Sequence, residues 1–104
     1  MIEQVYHLVQ ADTKTIDKVL MDEDIHYMHV ILGEGDTLPE HFSNAKIYMT
    51  VLRGVISIAL GEQPTAEYGS GTMLKIPFDT KMKIGNFHAE PLEFTIIKAP
   101  APQA

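Results

Sequence analysis

Few residues in this chain could do chemistry. There are five histidines, six methionines and no cysteine. His41 lies in LPEHFSNAKIYMTVLRG, residues 38–54, between a Pro39-Glu40 turn and an apolar run. An imidazole there can ligate a metal, move a proton near neutral pH or anchor a bound molecule by hydrogen bonding. It can equally cap its own turn. His26 and His29 stand three apart in IHYMHVIL, so on a strand they point to opposite faces and at most one looks inward. His88 follows KMKIGNF. Thioethers favour Cu(I), which makes His41, Met49 and Met82 a conceivable soft site, yet methionine more often fills irregular core space. The absence of cysteine removes disulfide, thiol and thiolate–zinc chemistry. No nucleophile elbow, phosphate-cradling loop or carboxylate pair surrounds the remaining candidates.

The elements that must position these residues read as short strands. Runs rich in β-branched residues, Gln4 to Val9, Ile25 to Leu32, Ile47 to Leu52, Val55 to Leu60, Met73 to Pro77, Lys81 to Gly85 and Leu92 to Lys98, are separated by glycine and proline turns. Many short strands at such spacing predict an all-β sandwich or barrel. The two-residue gap at Arg53-Gly54 predicts a tight hairpin. KTIDKVLMDED fits either a helix or a strand, and its β surroundings favour strand. Alternation puts Ile47, Met49 and Val51 on one face, with Tyr48, Thr50 and Leu52 on the other. Both faces are apolar. Burial of the second face in a homodimer, or under the first strands of the chain, explains that equally well.

The chain's 104 residues suit a single domain with one core, and 45% hydrophobic with 21% charged residues is ordinary for a folded one. A net charge of -6 with scattered lysines and arginines argues against nucleic acid or an anionic membrane as partner. No apolar run is long enough for a membrane helix. MIEQVYHLVQ lacks a signal peptide's basic start and cleavage site, so a cytoplasmic location is expected. The prolines of APAPQA predict an extended tail.

The order of glycines, histidine and asparagine resembles the cupin family. Its first motif, G-x5-H-x-H-x3,4-E-x6-G, is matched in spacing by Gly35, His41 and Gly54, with Ser43 at the second histidine position and Ile47 at the glutamate. Its second, G-x5-P-x-G-x2-H-x3-N, is matched by Gly71, Pro77 and Asn86, with Asp79 at the glycine and Met82 at the histidine. The resemblance spans roughly residues 25–100 and implies a double-stranded β-helix, or jelly-roll, barrel. It gives one cupin domain over 1–104, with 101–104 as its tail. It also implies that three of the four family metal ligands are replaced. A single imidazole does not hold a catalytic metal, which needs about three protein ligands, so no cofactor is expected. A divalent metal remains conceivable only if His29, His26 or His88 joins His41.

With Ile47 and Met82 in place of ligands, the pocket of such a barrel becomes apolar. His41, Ser43, Ile47, Met49, Met82 and Ile84 are its expected residues, with Tyr48 or Asn86 as further polar groups. Asn86 is expected chiefly to order its loop. Two functions follow: a metal-free module that binds a small molecule through His41, or an isomerase-, epimerase- or oxygenase-like enzyme using His41 or a rebuilt metal site.

Overall fold

The β-branched runs fold as strands because their side chains alternate between a core and an outer face. The structure is a computed structural model describing residues 1–103. Among the described residues, nine strands run in chain order: β1 (Thr15–Met21), β2 (His26–Leu32), β3 (His41–Phe42), β4 (Ile47–Arg53), β5 (Val55–Leu60), β6 (Ala66–Gly69), β7 (Met73–Ile76), β8 (Lys81–Gly85) and β9 (Leu92–Lys98). They form a five-stranded sheet, β1-β2-β9-β4-β7, and a four-stranded sheet, β3-β8-β5-β6. All neighbouring pairs are antiparallel.

Register aligns the inward side chains in rows. One row of the larger sheet holds Lys18, Met28, Ile96, Met49 and Leu74. The next holds His26, Lys98, Ile47 and Ile76. From the facing sheet come His41, Met82 and Leu60 in one row, and Ile84 and Ile58 in another. The core between the sheets includes Val30, Val51, Ile56 and Phe94, all fully buried. Truncating a buried aromatic such as Phe94 to alanine costs about 3–5 kcal/mol in cores of this kind.

Three sequence expectations change. Arg53-Gly54 is not a hairpin, because β4 and β5 belong to different sheets. The chain instead turns a corner there. Gly54 has φ 78°, and a Cβ on it would lie 2.4 Å from the Pro91 carbonyl oxygen. Close approach of the β8–β9 loop therefore selects glycine. The run Gln4 to Val9 is not a strand, since β1 already occupies that edge of the sheet. Its side chains lie largely outside, with Val5, Tyr6 and Val9 exposed. Further along, the first segment crosses the outer face, where Arg53 donates to the Ala11 carbonyl and to Asp12 at 2.8 Å each. It thus accompanies the burial of His29, Ile31 and Thr95 on one half of that face. The tail does not simply depart: Ala101 N–H donates to the Asp24 carbonyl at 2.9 Å. Ala104, the last residue of the expected tail, lies outside the described residues. The ambiguous segment is β1, as its surroundings suggested. The short β3 and β6 went unread because neither has an apolar run of strand length.

Candidate functional site

The barrel holds a cavity of ≈ 160 Å³ that opens to solvent beside the exposed Ile16, Pro39 and His41. Met28, Val30, Ile47 and Ile96 of the larger sheet face Met82 and Ile84 of the smaller across it. His41 and Lys98 are the polar residues on its walls. Four of the expected pocket residues, His41, Ile47, Met82 and Ile84, therefore come together.

His41 reaches the cavity because β3 pairs with β8, setting it opposite Met82. Its Nδ1 lies 2.8 Å from the Pro39 carbonyl oxygen. A carbonyl only accepts, so Nδ1 carries the proton and donates. The turn thus holds the ring, and Nε2 is left with no protein hydrogen bond among the described residues. In the neutral ring, Nε2 presents a lone pair.

Ser43 and Met49 are corrections to the expected pocket. Ser43 is buried, but its hydroxyl donates to the Pro77 carbonyl at 2.6 Å and accepts from Thr80 N–H at 2.8 Å. Backbone bonds from Ser43 to Thr80 and from Asp79 to Ser43 complete a bracket around the β7–β8 turn, where Asp79 has φ 60°. The residue at a ligand position has become a fastener. Met49 is fully buried in the core, away from the cavity walls. Its thioether fills core space. Asn86 orders its loop: Nδ2 donates to the Leu32 and Glu90 carbonyls at 3.0 and 2.9 Å, and Oδ1 accepts from His88 N–H at 2.9 Å. Tyr48 faces outward, with the Lys75 ammonium 5.9 Å from its ring centre.

The alternative metal ligands are dispersed. His29 lies on the outer face, Nε2 donating to Glu93 Oε2 at 2.6 Å, while its buried Nδ1 has no partner. Its neighbour of opposite parity, His26, shares the inward row of Lys98 at the strand end. His88 pairs with Glu67 on the outside of the smaller sheet. Among the described residues, no three His, Cys, Asp or Glu side chains are placed to share a metal ion. At the motif positions, one imidazole, a hydroxyl engaged with backbone, an isoleucine and a methionine form a donor set that does not fit the family metal.

Sequence reasoning missed the wall residues Met28, Val30 and Ile96 and, with more consequence for the chemistry, Lys98. Its signal was present: Leu92, Phe94, Ile96 and Lys98 alternate by two, which continues the inward face. Burial pushes its ammonium below the usual lysine range, and nearby Lys18 adds to that shift. Two further polar groupings lie outside the barrel interior. On the smaller sheet, Glu67 Oε2 takes hydrogen bonds from His88 Nε2 at 2.5 Å and from the Ser57 hydroxyl at 3.1 Å. The carboxylate sits between serine and histidine, so the imidazole cannot activate the hydroxyl as a nucleophile. The bond from His88, then that from Ser57, hold Glu67 below the usual carboxylate range. A larger hollow, ≈ 490 Å³, is a surface groove around the ion-paired Arg53, Asp12 and Glu93. The guanidinium is held by Asp12, the Ala11 carbonyl and the Glu93 carboxylate 3.3 Å away, although Arg53 Nε makes no hydrogen bond.

No protein-family model matches the chain. It is 34% identical over 104 residues to the uncharacterized protein MJ0764 of Methanocaldococcus jannaschii, covering 99% of this chain and 90% of that one. The crystal structure of MJ0764, described as an RmlC-like cupin family protein with a double-stranded β-helix fold, superposes with a TM-score of 0.94 over 98% of this chain and 94% of its own. A double-stranded β-helix protein from Klebsiella pneumoniae is 18% identical with a TM-score of 0.78, over 92% and 84% of the two chains. A cupin superfamily protein from Desulfitobacterium hafniense is 10% identical with a TM-score of 0.75, over 89% and 83%. The last two likenesses concern fold alone.

Proposed function

The chain belongs to the cupin family of double-stranded β-helix proteins, and from that premise we propose that it is a binding module whose barrel cavity holds a small, largely apolar molecule anchored by His41. The carrying observation is the cavity itself, walled by aliphatic side chains from both sheets, with few polar groups. An apolar cavity of about 150 Å³ takes up benzene, so ≈ 160 Å³ suits a ligand body of that size. The eight non-hydrogen atoms of benzyl alcohol at about 0.6 kcal/mol each correspond to a Kd on the order of 0.3 mM. Toluene and benzyl alcohol are suitable probes, titrated calorimetrically against the wild type and Ile96→Phe, which fills the cavity. Saturable binding that Ile96→Phe abolishes supports the proposal. Absence of binding, or equal binding to the folded variant, counts against it.

A second reading rests on the ring of His41. With Nδ1–H tied to Pro39, its Nε2 is oriented as in an acid–base group that removes and returns a ligand proton. Solvent deuterium entering a bound ligand at an acidic C–H, and lost in His41→Gln, would favour this isomerase-like reading over simple binding.

The proposal includes a homodimer in the cytoplasm. Leu52 and Met73 remain 42% and 60% exposed on the uncovered half of the outer face. The exposed Ile2 and Val5 of the first segment are an apolar complement that a second copy can lay over them. A monomer mass in sedimentation at micromolar concentration would remove the dimer. Among the described residues, no helix is long and apolar enough to cross a membrane.

A further inference from the structure

Lys98 stands on the inward face of β9, level with His26 and Ile47, and its side chain lines the apolar cavity. Lys18 faces the same side from β1, one row along. Neither lysine joins any ion pair among the described residues; the carboxylates that form pairs, Asp12, Glu62, Glu67 and Glu93, are engaged elsewhere. Lys98 therefore lines one end of an apolar chamber, with the exposed Lys18 on the same side of the sheet, and neither has an ion-pair partner among the described residues. The only other titratable group in the Lys98 row is His26, which adds positive charge when protonated. A protein gains no stability by placing a second cation beside a partly buried ammonium, whereas an anionic ligand would neutralise them. Resting on the cavity reading above, we propose that the ligand is a small monoanion: a carboxylate on an apolar body of about benzene size. Its headgroup lies at Lys98 with Lys18 nearby, and its body lies against Met28, Ile47, Met82 and Ile96. His41 Nε2 remains available for a second polar group on the ligand.

Benzoate and its neutral isostere benzamide test this by calorimetric titration of the full chain at neutral pH. Benzoate should bind at least about 10-fold more tightly, as expected for a hydrogen bond to a charged group. Lys98→Met keeps the aliphatic stem and removes the charge. It should erase that preference, weakening benzoate about 10-fold or more while leaving benzamide within about twofold. Unequal screening of the two probes by added salt should follow the same pattern, with benzoate alone weakened. Equal affinities in the wild type, or a benzoate preference that survives Lys98→Met, overturns the anion assignment while leaving the cavity reading in place. If toluene, benzyl alcohol, benzamide and benzoate all fail to bind, the cavity reading fails and takes this inference with it. Binding of benzamide and benzyl alcohol without benzoate also overturns the assignment. Loss of a folded Lys98→Met is checked by its thermal transition, which should be at or above that of the wild type, because a desolvated charge has been removed.

Discussion

Asn86→Asp tests how the barrel is fastened beside its site. The wild-type side chain is fully buried and makes three hydrogen bonds, two as donor to Leu32 and Glu90 carbonyls and one as acceptor from His88 N–H. Aspartate keeps the shape and the acceptor. It replaces the NH₂ with an oxygen that faces two carbonyl acceptors. Two net bonds of about 1 kcal/mol each are lost, and two carbonyls are left unpaired at about 1–3 kcal/mol each, so the variant should lose about 4–8 kcal/mol at neutral pH. That approaches the whole stability of many small domains. Protonating the new carboxyl restores one donor, so its folded-state pKa should rise above the unfolded value of about 3.9. The native state then binds more protons across that interval, and the deficit against wild type shrinks as pH falls through the raised value. Urea unfolding at pH 7 and pH 5 measures both effects; the midpoint should fall by about 2–4 M at pH 7 for a slope of about 2 kcal/mol/M. A loss below about 1 kcal/mol, or a deficit equal at both pH values, would refute the reasoning. It would mean that water already serves the two carbonyls.

Other substitutions probe separate parts of the account. Ser43→Ala leaves Thr80 N–H unpaired while Pro77 keeps its bond from the Thr80 hydroxyl. It should cost about 2–3 kcal/mol in urea unfolding, yet leave the benzyl alcohol affinity of the folded protein unchanged. Gly54→Ala brings a Cβ to 2.4 Å from the Pro91 carbonyl at a positive φ. A loss of about 3 kcal/mol or more is expected, read from the urea midpoint, and a near-neutral result would contradict the sheet-to-sheet corner. Glu67 is held below the usual carboxylate range, so its stabilisation is present above the unfolded pKa and lost as pH falls through the folded one. Glu67→Gln should therefore be less stable than wild type at pH 7, with the gap closing in acid. A pH-independent gap in thermal unfolding would count against the His88 pairing.

Much of the fold was legible because the strands carry their own periodicity. Val55–Leu60, Lys81–Gly85 and Leu92–Lys98 have the bounds their β-branched runs suggest. The Gly35-to-Gly54 and Gly71-to-Asn86 spacings gave the family. What local pattern could not show was partner choice: β4 and β5 look like a hairpin until the pairing of β4 with β9 and β7 is known. Gln4 to Val9 has strand residues but no free sheet edge to join. The site was half legible for a similar reason. Ile47 and Met82 follow from alternation and motif position, and His41 from its turn. Ser43 turns on a hydrogen bond 34 residues away, which its sequence surroundings do not announce. Lys98 was overlooked because a lysine closing an apolar run reads as the strand's exit to solvent, although its parity pointed inward.

The central claim is that the apolar interior of the barrel is a ligand site. Methyl NMR of protein labelled at methionine and isoleucine tests it most directly, because the labels line the cavity and also mark the surface. Titration with benzyl alcohol should shift the methyl signals of Met28, Met82, Ile84 and Ile96 saturably, and leave those of the exposed Met73 and Ile2 in place. Shifts confined to Met73 and Ile2, or cavity methyls that stay unmoved at millimolar probe, would contradict it.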